Sequence, residues 1–140
     1  MSYAYKTKVP VDRSRAEIEK LLQRAGADQF VVGWSGETEA RVQCRVNAKF
    51  IRFVLPMPDR SERGFRSDDG FQKEVRRRWR ALALIVKAKL EAVSSGITTF
   101  EDEFLAHVVM PDGKTVSEHA STMIAEAYKT GKVQALLPGW

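Results

Sequence analysis

The side chains best suited by type to chemistry are His107, His119, Cys44 and a dense run of arginines and lysines. If a short helix reaches His107, then Glu103 and His107 share a face at i, i+4. Glu118 and His119 lie across the Pro111–Gly113 turn from them. Glu103, His107 and His119 would then offer oxygen and nitrogen ligands to a metal ion. The chain has no HExxH pattern, one cysteine and two histidines. Structural or surface roles therefore fit these residues better, and no metal or other cofactor is expected. Cys44 stands on the inward side of an alternating segment, the setting of a buried, inert thiol. The serines form no G-x-S-x-G pattern. Gly33, Gly36, Gly64 and Gly70 do not compose a phosphate-binding loop. Glu101, Asp102 and Glu103 read as favourable charges at a helix N-terminus rather than as paired catalytic carboxylates. The reading is therefore non-enzymatic.

The cations are unevenly spread. The net charge of +5 divides into 6 basic and 6 acidic residues over 1–40, 14 and 5 over 41–90, and 3 and 7 over 91–140. Such asymmetry suits a polyanion, or a protein steered in by charge. Within the middle segment, Lys73, Arg76, Arg77, Arg80 and Lys87 gather on one side of a helix, where they can meet successive phosphates. Arg78 lies nearer the apolar side and is placed to pair with a carboxylate. The preceding loop adds Arg60, Arg63 and Arg66 and is expected to share the helix's surface. Arg41, Arg45 and Arg52 fall on an open sheet face on the opposite side, so no continuous groove is assumed. Trp34, Phe65 and Phe71 are candidates for stacking on unpaired bases, with Phe65 favoured because it stands in a loop. A plain solvated helix face would account for the same cations, since no recognised nucleic-acid-binding motif is present.

The elements that must carry these residues follow from periodicity. Ala4 to Val9 alternates as a first strand. Ser14 and Glu17 match a capping box for a helix running to about Ala25, with Ile18, Leu21 and Leu22 as its stripe. Phe30–Trp34, Arg41–Asn47 and Phe50–Leu55 read as three further strands. In the second of these Val42, Cys44 and Val46 face one way. In the third Ile51, Phe53 and Leu55 do. Asp69 and Gln72 match a second capping box and open a helix over residues 69–96. Its apolar face is Phe71, Val75, Trp79, Leu82, Val86, Leu90 and Val93. Thr98 with Glu101 and Thr115 with Glu118 match two further boxes, separated by the Pro111-Asp112-Gly113 turn. The expectation is a single α+β domain over 1–140: a four-stranded antiparallel sheet in the order β-α-β-β-β, a long basic amphipathic helix on one face, and a small C-terminal helical part. Residues 132–140 form an apolar tail, with Leu136, Leu137 and Trp140 expected to dock on the domain or on a second copy. No window is apolar enough to span a bilayer, and no signal peptide is seen.

Residues 78–118, together with the Ala4–Pro10 start and the LLPGW ending, are similar to a recurrent block in small uncharacterised proteins of tailed phages and prophages. The block consists of caps, a turn and apolar positions, so it carries no functional residues over. The resemblance implies the bacterial host cytoplasm, where small phage proteins serve nucleic-acid metabolism or block a host system. The expected function is a non-enzymatic nucleic-acid-binding accessory protein. The alternative is a protein-binding module or inhibitor of a host factor, with self-assembly into a homo-oligomer as a further partner choice.

Overall fold

A computed structural model describes residues 2–36, 38–61 and 67–133, with the backbone alone for 2–10. The chain is α+β. Its elements are helix α1 (Ser2–Arg24), strands β1 (Ala27–Ser35), β2 (Glu39–Val46) and β3 (Lys49–Pro56), helix α2 (Asp68–Ser94), a single turn α3 (Phe100–Glu103) followed by a 3₁₀ turn (Leu105–His107), and helix α4 (Val116–Thr130).

The three strands form an antiparallel meander in the order β1-β2-β3. Asn47 and Ala48 join β2 to β3, both at positive φ (52° and 64°). That is the two-residue turn whose twist matches the flanking strands. The register sets Phe30 opposite Cys44 and Val32 opposite Val42, while Cys44 faces Ile51 and Val42 faces Phe53. One sheet face is thereby apolar: Ala40, Val42, Cys44, Val46, Ile51, Phe53 and Leu55 are all buried. Helices α1 and α2 pack on each other and cover this face. Ile18 and Leu22 enter from α1, and Phe71, Val75, Trp79, Leu82 and Val86 from α2. The alternation of β2 and β3 and the long stripe of α2 thus lie where their periodicity places them.

The first strand and three of the four capping boxes differ from expectation. Residues Ala4 to Val9 are not a strand, and no fourth strand occurs among the described residues: α1 runs from Ser2 straight through Pro10. Alternation makes a strand only when another strand supplies the ladder, and a helix continuous with 11–24 satisfies these amides locally. Ser14 is consequently a buried residue inside α1, not its cap. The cap of α2 is likewise Ser67, whose Oγ accepts from the Gly70 amide at 3.2 Å. Gln72 is then not a capping residue but a buried one, its Nε2 donating to Asp68 at 3.3 Å. Thr99 rather than Thr98 caps α3, accepting from the Asp102 amide at 3.1 Å. The Thr115–Glu118 box forms in both directions, and Gly131 closes α4 at φ 74°. That left-handed conformation suits a residue without a Cβ.

The edge of β3 is covered in another way. Val108 bridges Ile51, the Val109 amide donates to the Phe50 carbonyl at 2.8 Å, and Val109 bridges Thr115. A short ribbon built on the Pro111–Gly113 turn therefore protects that edge. No helix among the described residues is long and apolar enough to cross a membrane.

Candidate nucleic-acid interface

Helix α2 turns two sides to two environments. Its apolar side is the core described above. On the other side Lys73, Arg77, Arg80 and Lys87 are exposed, and Arg76 is half-buried at the flank. Lys73 and Lys87 are fourteen residues apart, about 21 Å along the axis.

The cations differ in what holds them. Glu74 accepts from Arg77 in two hydrogen bonds, 2.8 and 2.7 Å, and from Arg78 Nε at 2.8 Å. These bonds hold the Glu74 carboxyl down at about 2, against an ordinary 4.5. Arg78 also donates to the Pro56 carbonyl at 3.0 Å, tying α2 to the end of β3. Its placement beside a carboxylate agrees with its position on the helix. Arg77 shares that carboxylate, so it is the weakest of the five as a phosphate donor. Lys73, Arg76, Arg80 and Lys87 have no ion-pair partner among the described residues.

Arg60 donates to Asp68 at 2.6 Å and lies over the Phe71 ring, 4.2 Å from its centroid. It sits at the N-terminal end of α2, as expected, but engaged with the helix. Phe71 is buried beneath it and is not available to stack on a base. Arg63, Phe65 and Arg66 lie outside the described residues. Trp34 is 58% exposed at the end of β1, opposite Ala40, whose β3 neighbour is Leu55. This is the end of the sheet that Arg78 reaches.

On the outer sheet face two of the three arginines are ion-paired and the third is held by neutral acceptors. A shift in register between Ala27 and Gln29 makes room for Asp28, which takes both ends of the Arg45 guanidinium at 2.9 and 2.7 Å. That contact holds Asp28 below the usual carboxylate range. Arg41 pairs with Glu39 at 2.8 Å. Arg52 donates to Gln43 and to the Gly113 carbonyl at 3.2 and 2.9 Å. The sheet arginines therefore brace the sheet, apart from the α2 stripe.

The other candidate groups are also separated. Glu103 faces Lys89 at 3.3 Å. His107 packs on Phe53, centroid to centroid 4.4 Å, and burial with nearby Lys89 pushes its pKa down. His119 meets Asp112 at 2.8 Å. Cys44 is buried, and burial raises its thiol to about 11. Sequence reading did not single out Leu84, 67% exposed within the cationic stripe. Its position one turn beyond Arg80 was the available signal.

The chain matches no protein-family model, no curated protein and no solved structure.

Proposed function

We propose that the chain is a non-enzymatic accessory protein that binds nucleic acid through the solvent face of α2. One observation carries the reading: Lys73, Arg76, Arg80 and Lys87 stand along one side of one helix and form no ion pair among the described residues. Over about 21 Å of axis, a B-form strand presents about six phosphates. Four cations at this spacing can meet a backbone without reading bases, so binding is expected to be insensitive to sequence. Leu84 adds apolar surface within the stripe.

The test is a titration of labelled single- and double-stranded DNA and RNA at several salt concentrations. Four released counterions give a log–log slope of about −3.6 on duplex DNA and about −2.8 on single strands. Between about 50 and 200 mM salt, affinity should fall about 150-fold and about 50-fold respectively. Absence of binding at the lowest salt overturns the reading. The resemblance to phage proteins would set this activity in an infected or lysogenic bacterium. A second reading, a protein-binding module that blocks a host factor, is supported by the exposed apolar side chains of α4, Ile124 and Tyr128.

A further inference from the structure

The C-terminal helix poses a physical problem that the α2 reading does not touch. Helix α4 has 15 residues and none of them is buried. It packs on the 3₁₀ turn near its start, and helices of this length are marginal in water by themselves. Yet it is well capped at both ends. Val116, Ala120, Met123, Ile124 and Ala127 share its apolar side, with Tyr128 at the margin. Ile124 is 55% exposed and Tyr128 86%.

At the foot of this helix lies an apolar groove of about 310 Å³, lined by Ile51, Phe100, Phe104, Leu105, Val108 and Val116. Leu105 leaves more than half of its surface open there. Lys49 and Glu101 stand at the same groove. The chain therefore carries an apolar ridge on α4 and an apolar cleft at the foot of that helix. Val116 belongs to the cleft, and Tyr128 is twelve residues, about 18 Å, further along the ridge.

We propose that α4 and this groove are the two halves of a self-complementary interface with a second copy of the chain. If two α4 helices run antiparallel about a two-fold axis, Tyr128 of each lies opposite Val116 of the other. The distal end of each ridge then enters the cleft of its neighbour, which is the reciprocity an isologous contact requires. Charge favours the same arrangement. Glu126 on the flank of the ridge near its end, and Lys49 at the cleft, have no ion-pair partners among the described residues. Each copy thus offers an anion on its ridge to a cation at the other's cleft. The interface stands independently of the α2 reading, because Lys73, Arg80 and Lys87 take no part in it.

Sedimentation equilibrium of the full chain over a range of concentrations tests this. A monomer–dimer equilibrium is expected. Ile124→Glu and Leu105→Glu should each raise the dimer dissociation constant by about 100-fold, because a two-fold axis makes every buried carboxylate count twice. Both side chains are more than half exposed in the monomer, so circular dichroism and thermal melting should stay near wild type. Met123 is one residue from the midpoint of the pairing. Met123→Cys should form an intermolecular disulfide under mild oxidation, and buried Cys44 should not compete. A monomer at every concentration overturns the proposal. So does a dimer indifferent to both glutamate variants. A monomer whose groove binds an apolar dye only after residues 134–140 are deleted would assign the groove to the chain's own terminus instead, and overturns it too.

Discussion

Replacing Glu74 by Gln should weaken the fold and strengthen polyanion binding at once. Glu74 is held at about 2 against an ordinary 4.5 by hydrogen bonds from Arg77 and Arg78. A shift of that size corresponds to a ceiling of about 3.4 kcal/mol. Arg77 is 60% exposed, and exposed pairs are screened to about 0.2–1 kcal/mol each. The more sheltered Arg78 contact raises the total, so a loss of about 1–2 kcal/mol is expected at neutral pH. The sign with pH follows from the depressed folded value. Stabilisation by the carboxylate is complete above its unfolded pKa and is lost as pH falls from about 4.5 toward 2. Urea titrations of wild type and Glu74→Gln should therefore diverge above pH 5 and converge in acid. The same substitution releases Arg77 on the outer side of α2, while Arg78 keeps the Pro56 carbonyl. One additional phosphate contact should steepen the salt slope on duplex DNA by about 0.9, from about −3.6 to about −4.5. A stability difference that is zero, or constant across pH, refutes the ion-pair account. A destabilised variant with an unchanged slope means that the cations of α2 are not the contact surface.

Trp79 is fully buried at the centre of the helix–sheet core, so Trp79→Ala should cost about 3–5 kcal/mol in chemical denaturation; near-wild-type stability would contradict its placement. Lys73→Gln, Arg80→Gln and Lys87→Gln combined should change stability by less than ~0.5 kcal/mol per site, while the duplex salt slope falls to about −0.9. An unfolded triple variant would show that these residues support the core. Ala48 adopts φ 64° in the β2–β3 turn, a conformation that costs an L-residue about 1–2 kcal/mol. Ala48→Gly should therefore raise stability by about 0.5–1 kcal/mol after its entropy loss, read from the urea midpoint; a decrease would mean the turn is not strained.

Local chemistry alone placed much of this molecule. The 3.6-residue stripe from Phe71 to Val86 and the two-residue alternation of Val42–Val46 and Ile51–Leu55 each name a buried face without reference to anything distant. The Thr115–Glu118 box, the Pro111–Gly113 turn and the position of Arg78 four residues from Glu74 are equally short-range, and all are found. The tertiary structure decided the rest, because those outcomes depend on partners far away in the chain. Ala4 to Val9 has a strand's alternation, but it joins α1 and no strand pairs with it. Gln72 is buried because α2 begins at Asp68 and lies against the sheet with α1 beside it. Arg45 is neutralised by Asp28, seventeen residues earlier, only because a shift in strand register brings the two together. Periodicity states which face a segment would bury, whereas what covers that face, and which charges remain free once it is covered, is settled by contacts between elements.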